Sequence, residues 1–165
     1  MKTIFLKDTS NKKLLVIREF TAPLELTWKA WTTKDALDKW WAPKPWKADT
    51  KKMDFKEGGY WLYAMVGPAG EKHWALAEYK KIIPDKMYIA YDSFCDENGN
   101  KMPEPPGMEW KVNFEKTATG TKVSVEITFA SEKDLQTIVE MGFQEGFSMA
   151  HENLDELFAN AEIKS

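Results

Sequence analysis

The chain has 165 residues, a formal net charge of −3 and one cysteine, which suits one domain over residues 1–165. The slightly acidic balance argues against nucleic-acid binding, because that function depends on basic surface that neutralises phosphates. With no apolar run of about 20 residues, no signal-peptide core and only the lone Cys95, we expect a cytoplasmic protein without a membrane span.

The first third of the chain predicts one strand followed by two short helices. The segment LLVIREF, residues 14–20, is short, apolar and β-branched, which is typical of a strand. Apolar residues then recur at helical spacing over residues 21–31. A second helix is predicted over residues 32–41, where Thr32 and Asp35 have the spacing of a capping box.

The middle of the chain predicts six strands, because apolar and polar residues alternate there. The predicted strands cover residues 46–56, 60–66, 72–83, 86–95, 108–117 and 121–130. Turn residues separate them, so we expect an antiparallel meander. In the first of the six, two sets of inward positions are out of phase. A bulge near Lys51 and Lys52 would bring both sets onto one face and would bend the strand.

One long helix is predicted from Ser131 to about Ala161, with a capping box formed by Ser131 and Asp134. Its apolar stripe is wider than one face requires, so we expect it to be covered on two sides. The element order predicts a two-layer α+β domain. A curved antiparallel sheet of about seven strands would wrap around the C-terminal helix.

Several segments resemble one protein family. They are residues 17–44, IREFTAPLELTWKAWTTKDALDKWWAPK, the pair Gly58-Gly59, and EMGFQEGFSMAHENLDELF, residues 140–158. The family is that of small proteins similar to the C-terminal domain of the ATPase activator of the ninety-kilodalton heat-shock chaperone. It belongs to the START-like (SRPBCC) superfamily, so the resemblance implies a helix-grip fold with a ligand cavity. Superfamily members include lipid carriers, cyclases and co-chaperone domains, so fold alone leaves function open.

A cavity between sheet and helix is the predicted functional site. Gly142 and Gly146 lie four residues apart on the predicted helix, where the missing side chains would permit either close packing or space for a ligand. We expect His73, Tyr79 and Tyr91 to orient the ligand, although an ordinary strand-end histidine is the more common interpretation of His73. The predicted ligand-binding residues are His73, Tyr79, Tyr91, Trp110, Val112, Phe114, Gly142, Phe143, Gly146 and Phe147.

Three functions are compatible with such a domain. The leading hypothesis is binding of a small apolar or aromatic molecule, without catalysis and without a metal or cofactor. The second is a co-chaperone-like module that binds a chaperone or another acidic protein through its lysine-rich second strand, although lysines also protect edge strands. The third is a cyclase or dehydratase that uses His73 or a tyrosine as acid or base. We expect a monomer or a weak homodimer.

Three further features have two interpretations each. The loop over residues 96–107 forms either a lid over one cavity mouth or a plain surface excursion. Trp40, Trp41 and Trp46 form either an exposed binding surface or ordinary packing. His151 is predicted to be a half-buried surface residue rather than a base.

Overall fold

The computed structural model describes residues 2–161 and 163, which form eight strands and four helices in one α+β unit. The elements are β1 (Ile4–Asp8), β2 (Lys13–Phe20), α1 (Leu24–Thr32), α2 (Lys34–Trp40), β3 (Lys47–Met53), β4 (Tyr60–Val66), β5 (Lys72–Ile83), β6 (Met87–Cys95), β7 (Met108–Lys116), β8 (Thr121–Thr128), α3 (Glu132–Glu140) and α4 (Phe143–Ala159). Of the helices in these residues, none has the length and apolar character needed to cross a bilayer.

All eight strands form one open antiparallel sheet in the order β1-β2-β8-β7-β6-β5-β4-β3. The meander from β3 to β8 is confirmed, and β2 pairs with β8 at its far end. The sheet has one strand more than the predicted seven. The additional strand, β1, is an edge strand whose side chains are mostly exposed. It is held by backbone pairing with β2, and its apolar residues Ile4, Phe5 and Leu6 are consecutive, so the alternation typical of a half-buried strand is missing.

Two register shifts bend the sheet. The pairing of β3 with β4 shifts between Thr50 and Lys52, so the predicted bulge is confirmed. A second shift lies in β5 between Tyr79 and Lys81. Bulges increase local twist and bend strands, so both shifts should help to curve the sheet around the helices.

The prediction of one long C-terminal helix is wrong, because the chain breaks between α3 and α4. Gly142 adopts a φ of 89°, in the left-handed region that ends helices. Ser131 caps α3 as expected, since its hydroxyl accepts a hydrogen bond from the Asp134 N–H at 3.1 Å. The capping box at Thr32 is wrong. Thr33 occupies the N-cap of α2, and the Thr32 hydroxyl donates to the Trp28 carbonyl.

The break at Gly142 makes the two helix glycines respond oppositely to alanine. Gly142→Ala should lower the free energy of unfolding by about 1–2 kcal/mol, because an L-residue is strained in the left-handed region. Gly146→Ala, inside α4, should raise it by up to about 1 kcal/mol, since its Cβ would meet only Pro43 at 3.7 Å. Chemical denaturation measures both, and effects of the same sign would contradict the assigned break.

Tryptophans pack the space between the helices and the inner face of the sheet. Trp31 and Trp40 are fully buried, and their ring centroids lie 4.8 Å apart. Trp41 joins them at 5.3 Å from Trp40. The α4 residue Asn153 donates its amide to the carbonyl oxygens of Trp40 and Ala42, which ties the end of α2 to α4. Trp40 and Trp41 are therefore packing residues rather than an exposed surface.

The prediction for His151 is also wrong, because the structure buries this residue. Its side chain is 1% exposed, and its ring centroid lies 4.2 Å from that of Phe147. The Nδ1 atom lies 2.9 Å from the Thr3 hydroxyl oxygen. Burial, with a smaller effect of the Arg18 charge, lowers the pKa of His151 to about 3. His151 is therefore a neutral residue that packs in the core, and not the half-buried surface residue expected from the sequence.

Candidate functional site

A cavity of about 280 Å³ lies between the inner face of the sheet and the two C-terminal helices. Its size is close to the lower end of small-molecule pockets. The sheet contributes Tyr63, Met65, His73, Ala75, Asp92, Ser93, Phe94, Met108 and Trp110. The helices contribute Ile138, Met141, Gly142, Phe143, Gly146 and Phe147, and the segment after α2 contributes Trp41 and Pro43. The wall is predominantly apolar, and much of it is aromatic.

Strand pairing explains why space remains at this place. Ala75 of β5 lies opposite Tyr63 on one neighbouring strand and opposite Phe94 on the other. Its small side chain sits between two rings and fills little of the volume in front of the sheet. On the helix side, Gly142 and Gly146 carry no side chain. The cavity therefore lies where both the sheet and the helices lack large side chains.

The structure brings six of the ten predicted site residues together around this cavity. They are His73, Trp110, Gly142, Phe143, Gly146 and Phe147. His73 is exposed and lies at the rim, with its ring centroid 5.3 Å from that of Trp46. Phe147 lies at the centre of the aromatic wall, 5.4 Å from both Trp110 and Phe143.

The other four predicted residues lie away from the cavity. Tyr79, Val112 and Phe114 are buried, but α1 and Phe55 fill the space in front of them. The Phe114 ring lies 5.0 Å from Trp28 of α1, and the Tyr79 ring lies 4.7 Å from Phe55. Tyr91 alternates to the outer face, where it is 37% exposed and its ring lies 5.7 Å from the Lys101 ammonium. Because helix α1 covers this part of the inner face, space for a ligand remains only in front of the part that α1 does not cover.

Asp92 is the functional candidate that the sequence analysis missed. It is the only carboxyl among the residues that line the cavity. Asp92 is half-buried, and its side chain makes no hydrogen bond or ion pair with any residue in the described part of the chain. Burial raises the pKa of this carboxyl to about 8. The available signal was its position, since Asp92 shares the inward parity of Ala90 and Phe94 in an otherwise apolar strand.

Trp41, Tyr63 and Trp110 contribute uncharged polar groups to the wall. The Trp41 indole N–H donates to the Tyr63 hydroxyl at 2.9 Å. Burial raises the pKa of Tyr63, so the phenol stays protonated across the physiological range. The Trp110 indole nitrogen is buried and, within residues 2–161 and 163, has no hydrogen-bond partner. The cavity thus combines neutral aromatic walls with one carboxyl.

The sequence pattern of one family matches most of the chain. The family is described as "Activator of Hsp90 ATPase homolog 1-like protein", and its model covers residues 21–159. The chain belongs to this family. The START-like, helix-grip architecture that the resemblance implied is confirmed by the open antiparallel sheet and the C-terminal helices.

Solved structures of similar proteins share the fold of this family member. A solution structure from Arthrobacter aurescens is 29% identical, with a TM-score of 0.89, over 95% of this chain and 91% of that one. A crystal structure from Mycobacterium smegmatis is 28% identical, with a TM-score of 0.89, over 98% and 99%. A solution structure from Staphylococcus epidermidis is 25% identical, with a TM-score of 0.83, over 98% and 96%. Among curated protein sequences, none matches this chain.

The loop over residues 96–107 is a surface excursion in this family member and does not form a lid. None of these twelve residues, all of which the structure describes, lines the cavity. Asn98 and Gly99 lie instead beside Leu62 and Leu76 on the outer face of the sheet. Cys95, which packs with the same two leucines, is 3% exposed. Burial, and then the neighbouring charge of Asp96, raises the pKa of its thiol, which does not favour a reactive cysteine.

The lysine-rich strand β3 is an edge strand, as the protective interpretation of its lysines predicted. Of the five lysines in and beside this strand (Lys44, Lys47, Lys51, Lys52 and Lys56), three already have partners within the chain, and one of these is Lys56, which pairs with Asp54 at 3.3 Å. Lys44 pairs with Glu156 at 2.8 Å, and the Lys51 ammonium donates to the Glu97 carbonyl at 2.7 Å. The structure therefore assigns part of this basic surface to internal contacts.

Proposed function

We propose that this chain binds a small, mostly apolar and preferably aromatic molecule in the cavity, without catalysis. The observation that carries the proposal is the space of about 280 Å³ enclosed by aromatic rings and by residues with small or absent side chains. An engineered apolar cavity of about 150 Å³ accommodates benzene. The larger volume here suits a substituted single ring.

Burial of apolar surface would drive binding, at about 25 cal/mol per Å² before the costs of association. The wall is formed by side chains that pack against one another. Trp41 lies 5.8 Å from Phe147, and Trp110 lies 5.4 Å from the same ring. A wall whose rings already hold each other needs little ordering when a ligand enters, which lowers the cost of binding.

The proposal predicts that Gly146→Leu lowers the affinity for aromatic ligands at least tenfold. The Cβ atom would meet only Pro43 at 3.7 Å, so leucine fits the helix, while the rest of its side chain fills cavity space. Thermal-shift screening of aromatic molecules, followed by titration of tryptophan fluorescence, measures the affinity. Trp41 and Trp110 are the reporters in the wall.

Gly146→Ala is the matched control, because it adds one carbon and leaves most of the volume open. Gly142→Leu is unsuitable, since the left-handed φ of Gly142 would strain any side chain. Equal affinities of the wild type and Gly146→Leu would contradict the cavity proposal. The absence of any saturable ligand in the wild type would contradict it as well.

A second candidate function is activation of a chaperone ATPase, as the description of the family suggests. The observation that favours it is an unpaired strand edge with exposed lysines at Lys47, Lys51 and Lys52. The rate of ATP hydrolysis by purified Hsp90, with and without this chain, tests it directly. A salt-sensitive stimulation that is lost when the three lysines become serine would support activation, and an unchanged rate would exclude it.

A cyclase- or dehydratase-type activity would require a second polar group within hydrogen-bond reach of a candidate acid or base. His73 lies at the exposed rim. Asp92 forms no side-chain hydrogen bond with the residues that the structure describes. Simple binding therefore remains the function that the geometry supports best.

A further inference from the structure

We propose that the cavity selects an organic amine, whose ammonium group pairs with the Asp92 carboxylate while its ring or chain fills the apolar remainder. This inference rests on the proposed binding function and specifies the chemical class of the ligand. It is carried by the position of one unpartnered carboxyl inside an aromatic wall.

The surroundings of Asp92 offer it no positive charge. On the neighbouring strands it lies opposite Ala77 of β5 and Met108 of β7, and neither side chain donates a hydrogen bond. Helices α3 and α4 contribute only Ile138, Met141, Gly142, Phe143, Gly146 and Phe147 to the cavity wall, none of them charged. No ion pair in the described part of the chain includes this carboxyl.

The ionisable groups around Asp92 are three phenols and one rim imidazole. Tyr63 of β4, Tyr79 of β5 and Tyr88 of β6 interact electrostatically with it, and burial raises the pKa of each. They stay neutral at physiological pH. His73 lies exposed at the edge of the cavity. The three phenols therefore supply no cation that could compensate an ionised carboxylate.

Charge complementarity therefore favours a cationic ligand. A carboxylate that is partly removed from water and left unpaired is unfavourable, whereas an ammonium ion in contact with it offsets much of that cost. The wall adds a second attraction, because the faces of Trp41, Trp110, Phe143 and Phe147 carry negative potential that favours cations. Once the carboxyl is ionised, it would repel an anionic ligand, and a neutral ligand would leave its charge uncompensated.

Binding should also move a proton. With a pKa of about 8, the carboxyl of the free protein is mainly protonated at pH 7. An incoming ammonium ion stabilises the carboxylate, so the carboxyl proton leaves to solvent and one ion pair forms. The affinity for an amine should consequently rise as the pH increases towards 8. It should fall again at higher pH, where the amine loses its own proton.

Three probes of similar size test this inference: 2-phenylethylamine, 2-phenylethanol and 3-phenylpropionate. For the wild type at pH 8 we expect the amine to bind at least tenfold more tightly than the alcohol, and the acid to bind most weakly. Calorimetry at pH 7 in buffers with different ionisation enthalpies should show release of about one proton per amine bound. Asp92→Asn should lose the preference for the amine and the proton release.

The outcomes separate this inference from the function on which it rests. If the wild type binds the alcohol as tightly as the amine, and Gly146→Leu binds neither, the cavity function stands and the amine inference fails. Proton uptake, or tighter binding of the acid, also overturns the inference. If the wild type binds none of the three probes, both the inference and the proposed function fail for ligands of this size.

Discussion

Asp92→Asn is expected to raise the free energy of unfolding near pH 7 by about 4 kcal/mol and to change it little near pH 4. Burial raises the pKa of this carboxyl from 3.8 to about 8, and one pKa unit corresponds to about 1.4 kcal/mol. Between these two pH values the unfolded chain releases a proton that the folded chain retains. Stability of the wild type should therefore fall as the pH rises through this window, while asparagine has no proton to lose.

Denaturant titrations of the wild type and Asp92→Asn at pH 4, 6 and 8 measure this difference. Glu109→Gln, which changes an exposed carboxyl on the neighbouring strand β7, is the matched control. The difference in unfolding free energy should grow with pH for Asp92 only. A difference that is constant from pH 4 to pH 8 would show that the carboxyl titrates as in the unfolded chain, and the assigned environment would be wrong.

Trp31→Ala should lower the free energy of unfolding by about 3–5 kcal/mol, which is typical of truncating a fully buried tryptophan. Trp31 is 1% exposed, and its ring contacts Trp40, Trp41, Phe114 and Phe147. It packs directly behind the aromatic wall of the cavity. The variant should therefore lose ligand binding together with stability, because Phe147 would lose the ring that supports it.

Trp31→Phe distinguishes packing from hydrogen bonding at this position. The buried indole nitrogen of Trp31 has no partner in the part of the chain described, so removing its N–H sacrifices no bond. Phenylalanine should cost clearly less than alanine, in proportion to the smaller volume lost. Met149→Ala, at an α4 position that is 40% exposed, should stay within about 0.5 kcal/mol of the wild type. Equal effects of the two Trp31 variants would contradict a packing role.

Much of the fold was predictable because the apolar residues recur with the period of a strand or of a helix over most of the chain. The bounds of β4 and β5 coincide with the predicted strands at residues 60–66 and 72–83, since turn residues flank both segments. The bulge in β3 was visible as a change of inward parity. The helix break was not, because a glycine within an apolar helical pattern fits both a helix interior and a left-handed end.

The candidate site was only partly predictable, for two physical reasons. Alternation identifies which strand residues face inward, but not which part of that face a helix covers. Tyr79, Val112 and Phe114 were therefore assigned to a cavity in a region that α1 and Phe55 fill. Asp92 was missed because a single carboxyl in a strand is usually solvated. Its significance depends on the neighbours that burial brings around it, and most of these are distant in sequence.

Methionine methyl spectra test the central claim, that the cavity is a binding site, most directly. Met65, Met108 and Met141 line the cavity, whereas Met102 and Met149 are exposed residues outside it. The protein is labelled at the methionine methyl groups and titrated separately with 2-phenylethylamine and with 2-phenylethanol. For each probe, the resonances of Met65, Met108 and Met141 should shift with the same saturation curve. Met102 and Met149 should remain unchanged. Shifts confined to Met102 and Met149, or no saturable shift with either probe, would contradict the account.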